Sequence, residues 1–173
     1  PPGIWKSISN NQYVQDHGPS LYRRSLYTYW RRTVPPPTMA TFNASEREVC
    51  LVRKDQTNTP LQALTLMNNV AFVGAARFLA ERILREADSD SVSQIRRGFR
   101  IVTGRLPRPS ESEPLTQAYY QFLNYFAENP QEAPKLLAIG EAPRDKTLPA
   151  PQHAALTMLA NILLNLDESI TLE

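Results

Sequence analysis

One cysteine in 173 residues, Cys50, excludes a disulfide within the chain, a CxxC redox pair, a thiolate zinc site and a CxxCH haem attachment. Histidine is almost as scarce. His17 and His153 stand far apart, so a metal site would need further ligands from elsewhere. Long apolar runs are missing as well. The best, at 70–76 and 154–160, fall well short of the ~20 residues a bilayer needs, so no membrane insertion is expected. Charge of one sign is lacking too: 19 Lys+Arg stand against 17 Asp+Glu. The surplus is confined to residues 1–56, with 8 basic and 4 acidic side chains, too thin a basic face to point to nucleic acid. No signal peptide is visible. The opening Pro1-Pro2-Gly3, without methionine, reads as the start of a fragment or processed product.

What is present is enough for a core, with 42% apolar and 21% charged residues. The 15 prolines divide the chain, leaving 61–106, 115–129 and 152–173 free for helices. Asn58-Thr59-Pro60 reads as a helix start, with Thr59 capping and Pro60 at the first helical position, and Leu61, Leu64 and Leu66 facing inward. Asn68-Asn69 separates this short helix from a longer one over 70–86. There Phe72, Ala75, Ala76, Leu79 and Ile83 form the inner stripe, and Arg77, Glu81 and Arg85 an outer row of ion pairs. A helix over 91–103 presents Val92, Ile95, Phe99 and Val102, and Gly104 ends it. Ser110 and Glu113 predict a capping box for the next, which runs to Glu128 with Leu115, Ala118, Tyr119, Phe122 and Phe126 inward. The 130–151 stretch reads as loop with at most a short turn at 135–139, and a last helix over 152–166 shows Leu156, Leu159, Leu163 and Leu166. The expectation is an all-α bundle of four to six helices over 57–173, preceded by an Arg/aromatic-rich arm over 1–56. Within the arm, 20–32 favours a helix capped by Ser20, with Tyr22, Leu26, Tyr29 and Trp30 inward, over a strand. The triple proline 35–37 would end it, and 33–56 would run extended.

Candidate chemistry is sparse. Asp16-His17 could act as an acid–base pair, although such a loop pair more simply shapes a turn. Cys50, near Arg47, could be an activated thiol; a small buried anchor is the commoner fate of a lone cysteine. Asn58, Gln62 and Asn68 could line a polar pocket or serve as caps and interhelix bonds. The richest feature is Arg23, Arg24, Arg31, Arg32, Arg47 and Arg53 beside Tyr22, Tyr27, Tyr29 and Trp30. Guanidiniums bind carboxylate, sulfate or phosphate in bidentate fashion and stack on rings. Three readings stay open for them: pinning of the arm through Glu46, Glu48 and Asp55, docking of a partner domain, or binding of an external anion. The candidate contact residues are Arg23, Arg24, Tyr27, Trp30, Arg31, Arg47 and Arg53, with no catalytic residue and no metal ligand assigned.

The run from Leu21 to Thr33, then Pro37, Phe42-Asn43-Ala44, Arg47-Glu48-x-Cys50-x-Val52-Arg53 and Thr57-Asn58-Thr59-Pro60-Leu61-Gln62-Ala63-Leu64, forms a distinctive block. Gly104-Arg105-x-Pro107 and Asn165-Leu166-Asp167-Glu168-Ser169-Ile170-Thr171 extend it. Together they resemble the C-terminal domain of unknown function of large exported planctomycete proteins that also carry a planctomycete-type cytochrome c domain. The resemblance implies a periplasmic or cell-envelope location and upstream domains of the same polypeptide as partners. Any haem c would sit upstream, with no cofactor in this chain. It brings no catalytic residues. The leading expectation is therefore a helical accessory module. The alternatives are a module for acidic or sulfated polysaccharide, or an enzyme half-site completed by upstream domains.

Overall fold

The computed structural model describes residues 14–31, 33–45, 50, 52–53 and 57–170. Two compact units divide at Thr57 and Asn58.

The first unit carries 3-10 turns at Gly18–Tyr22 and Ser25–Tyr27 and a five-residue helix, α1, at Pro37–Thr41. The helix expected over 20–32 is absent. Arg23, Arg24 and Thr28 all adopt extended ψ values near 131–149°, which breaks the helical ladder twice. Ring side chains and Thr28 give the segment little helix propensity to resist this. Tyr22, Leu26 and Tyr29, expected inward, are exposed, and Trp30 is half-buried. The triple proline starts a helix instead of ending one. Pro37 occupies the first turn of α1, where its missing N–H costs nothing, and the Thr41 hydroxyl donates back to the Pro37 carbonyl at 3.0 Å. The stretch read as extended over 33–56 thus contains a helical turn, after which Asn43 at φ 53° reverses the chain.

The second unit is an all-α bundle with no strand among its described residues. Its helices are α2 (Pro60–Asn68), α3 (Val70–Glu86), α4 (Ser91–Thr103), α5 (Pro109–Glu128), α6 (Glu132–Leu137), α7 (Ala150–Leu164) and α8 (Asp167–Ile170). The central element is α7. His153 to Thr157 are buried in succession, as are Leu159, Ala160 and Leu163, so the helix is covered on almost every side. It packs against α3, α5 and α6 most extensively, with α2, α4 and α8 completing the shell. No single helix among the described residues is long and apolar enough to cross a membrane; α2 and α3 meet that standard only jointly, across a 63° bend.

Local chemistry sets the helix ends. The Thr59 hydroxyl accepts from the Gln62 N–H at 3.3 Å while Gln62 Oε1 accepts from the Thr59 N–H at 2.8 Å, a full capping box. That box and Leu66 turn the Gln62 face inward. At about 100° per residue, Leu61 and Leu64 then point away, and they are 60% and 58% exposed, contrary to expectation. Asn69 caps α3 through the Ala71 N–H, and Asp90 caps α4 through Val92 and Ser93. Gly104 ends α4 at φ 77°. Ile95 and Phe99 are buried as expected, Val102 is half-buried and Val92 is exposed. Ala75 also faces solvent, because the inner side of α3 runs through Val73, Ala76, Arg77, Ala80 and Glu81. For α5 the predicted Ser110–Glu113 box moves back two residues. Pro109 is already helical, and the Glu111 carboxylate accepts from the Arg108 N–H at 2.7 Å.

Candidate functional site

In the first unit, Arg23, Arg24 and Tyr27 line one open depression of about 270 Å3. The 3-10 turn Ser25–Tyr27, whose Tyr27 N–H donates to the Arg24 carbonyl at 2.9 Å, brings these three together. Trp30 and Arg31 follow, each half-buried, and Arg53 is exposed. Arg47 lies outside the described residues, as do Arg32 and the proposed pinning partners Glu46, Glu48 and Asp55. Cys50 is exposed, so it is not the buried anchor expected of a lone cysteine. Asp16 and His17 are exposed too, with His17 opening the first 3-10 turn. No cluster of three His, Cys, Asp or Glu able to hold a metal occurs among the described residues.

The second unit holds a cluster that the sequence pattern disguised. Arg77 and Glu81, predicted on the solvent side of α3, are 2% and 5% exposed. Arg77 donates from Nη1 to the Leu137 carbonyl at 2.8 Å and from Nη2 to the Ala142 carbonyl at 2.6 Å, gripping both ends of the turn after α6. Glu81 Oε1 accepts from the Asp145 N–H at 3.2 Å, and Arg85 Nη2 meets the Asp145 carboxylate at 2.6 Å. The loop between α6 and α7 is thus tied to α3 by charged side chains. Across from them His153, 0% exposed, sets Nε2 at 3.3 Å from the Arg77 carbonyl and 3.9 Å from Glu81 Oε1. Burial pushes the imidazole below its ordinary pKa, against the Arg77 carbonyl and Glu81, which favour the proton. Three buried nitrogens of the cluster have no hydrogen-bond partner: Arg77 Nε, Arg144 Nη1 and His153 Nδ1.

A second convergence lies around Arg105, at the C-terminus of α4. Its fork meets Glu111 through Nη1 at 2.8 Å and Nη2 at 2.6 Å, and Glu168 through Nε at 3.0 Å and Nη2 at 2.6 Å. The guanidinium lies 4.9 Å over the Phe99 ring. Asn58 Nδ2 reaches Asp167 Oδ1 at 2.8 Å. Asp167-Glu168 thus bonds to two motifs far from it in sequence, Asn58-Thr59-Pro60 through Asn58 and Gly104-Arg105 through Arg105. Of the polar residues weighed as a pocket, Gln62 and Asn68 serve their own helix, Asn68 donating to the Leu64 carbonyl at 2.8 Å. The Arg105 fork holds Glu111 at about pKa 2, with the Arg108 N–H adding to the effect.

The family of unknown function PSD1 (DUF1553) matches residues 2–119. The chain belongs to that family. No curated protein and no solved structure matches it. The PSD1 match takes in the depression at Arg23, Arg24 and Tyr27, the α3 side of the buried cluster and the Arg105–Glu111 pair. It stops in α5, so Arg144, Asp145, His153 and Glu168 lie beyond it.

Proposed function

We propose that this PSD1 chain is a helical interaction module of a larger exported, cytochrome-c-linked protein, and that the turn at Arg23, Arg24 and Tyr27 is its contact surface. The observation that carries the reading is the open depression lined by two guanidiniums and a phenol ring, in a stretch of chain where Tyr22, Leu26 and Tyr29 are exposed as well. Arginine and tyrosine are the side chains that most often dominate protein contacts, and exposed rings near a chain turn are available to a partner without unfolding anything. Trp30, Arg31 and Arg53 extend the surface in this reading, while Arg47 lies outside the described residues. In the second unit, by contrast, Arg77, Glu81 and Arg105 are committed to holding loops and helix ends. The partner is the upstream part of the same polypeptide in the periplasm or cell envelope, and any haem c belongs there.

Calorimetric titration of this chain with the separately produced upstream domains tests the proposal. Arg24→Ala together with Tyr27→Ala is expected to weaken association by about 30-fold or more, the size of a strong contact pair. Unchanged affinity in the double variant argues against the surface. A second reading is favoured by the paired guanidiniums of the depression: an acidic or sulfated polysaccharide would place its anions there. In that case gel retardation by such a polymer is expected, and it should fade as salt rises. Retardation that persists in the double variant removes this reading.

A further inference from the structure

We propose that His153 and Glu81 form an acid-operated catch, which keeps the 138–149 loop tied to α3 at neutral pH and lets it go on acidification. The tie is geometric. Arg77 grips the carbonyls of Leu137 and Ala142, Glu81 takes the Asp145 N–H, and Arg85 takes the Asp145 carboxylate, so α3 reaches both the start and the middle of the loop. The loop then feeds into α7, where the His153 N–H donates to the Pro149 carbonyl at 3.0 Å. His153 is thus coupled to the loop by the backbone on one side and to Glu81 by its ring on the other.

The tautomer follows from the partners. Nε2 faces the Arg77 carbonyl at 3.3 Å, so the neutral ring carries its proton there and leaves the lone pair on Nδ1. A second proton, taken from solvent water, must go to Nδ1, a buried atom with no acceptor beside it. The resulting imidazolium would be buried near two guanidiniums. One carboxylate, Glu81, is at 3.9 Å, and that oxygen already holds the Asp145 N–H at 3.2 Å. The charged groups acting on the ring are Arg77 and Glu81 from α3 and Arg144 from the loop. His153 is the only ionisable residue of α7. The buried residues of α2, α4 and α5 include no charged side chain, and Glu132 and Lys135 of α6 pair with each other at 2.7 Å. Protonation therefore forces a choice. Either Glu81 turns to the imidazolium and drops the loop, or the loop opens to let water reach Nδ1. The first loosens the loop at Asp145 with Arg77 and Arg85 still in place, and the second opens it.

The sign follows from linkage. A group whose folded pKa is lowered binds fewer protons closed than open, so the closed state is favoured above the free-histidine value near 6.5 and loses ground below it. Asp145 cannot imitate this. The Thr147 hydroxyl and Arg85 hold its carboxyl far below the usual range, outside the same window.

Amide hydrogen exchange read by mass spectrometry, corrected for intrinsic rates, tests the catch on the whole chain. Below about pH 6.5 the protection of 138–149 is expected to fall by about tenfold per pH unit relative to α5, the factor set by uptake of one proton. In His153→Gln the same segment should show no such slope. A flat profile in the parent chain, or an equal slope in His153→Gln, overturns the proposal. Should His153→Gln fail to fold, His17→Gln leaves His153 as the only histidine for titration by NMR. An imidazole titrating below 6.5 in step with loop exchange supports the catch. Titration near 6.5 with the loop still protected, or loop opening with the ring untitrated, overturns it.

Discussion

Arg77→Met isolates the role of the buried guanidinium, since methionine keeps much of the apolar stem while removing every donor. The substitution leaves the Leu137 and Ala142 carbonyls without the partners that hold them at 2.8 and 2.6 Å. Each lost hydrogen bond to a buried charged donor costs about 1.5–3 kcal/mol. Removal of the unpaired Nε returns about 1 kcal/mol. The net loss is therefore about 2–5 kcal/mol, with about 3 kcal/mol as the central value. For a unit of this size a urea slope near 1.5 kcal/mol per molar turns that into a midpoint about 2 M lower. Urea unfolding followed by helical circular dichroism measures it, with Arg82→Met as the control. Arg82 sits on the outer face of the same helix and pairs with Glu86 across one turn, an arrangement that contributes little in solvent. The reasoning fails if Arg77→Met lowers the midpoint no more than Arg82→Met does. The loop would then be held by its own backbone and not by the side chain.

Two glycines should respond in opposite directions. A methyl at Gly74 meets nothing within 4 Å, so Gly74→Ala should stabilise α3 by about 0.5–1 kcal/mol. A methyl at Gly98 would come within 2.8 Å of Ile83 Cδ1 and 3.3 Å of Leu163 Cδ1, both in the core, so Gly98→Ala should destabilise by about 1–2 kcal/mol despite its better helix propensity. Thermal unfolding of the two variants checks the contrast. The Arg105–Glu111 pair sets an acid window: its contribution is complete above the ordinary glutamate value near 4.5 and disappears as pH falls toward about 2. Acid titrations of the parent and Arg105→Gln should therefore separate above pH ~4.5 and converge near pH ~2; a separation that stays constant across that range removes the pair from the account.

The parts of this fold that could be read from the sequence are those decided within one turn of chain. Thr59-Pro60, the break at Asn68-Asn69 and Gly104 mark helix boundaries because a cap or a left-handed residue acts on amides and carbonyls three or four positions away. The errors arise where the deciding partner is distant. Leu61 and Leu64 looked like the inner face of α2 until Gln62, drawn in by its capping box, took that place. Segment 20–32 offered both ring side chains and helical spacing, and local ψ values resolved it as two turns. Most telling are Arg77 and Glu81, which share with Arg85 the spacing of an exposed ion-pair row, although only Arg85 stays on the solvent side. The same spacing serves a buried Arg77–Glu81 pair equally well once carbonyls from Leu137 and Ala142, some sixty residues on, are supplied. One signal was available. Residues 150–164 contain a single ionisable side chain, His153, among alanines and leucines. A lone imidazole in a helix that apolar is bound for the core, where its ring nitrogens need partners from another element. Which element supplies them, α3 through the Arg77 carbonyl and the Glu81 carboxylate, is decided by packing and not by spacing.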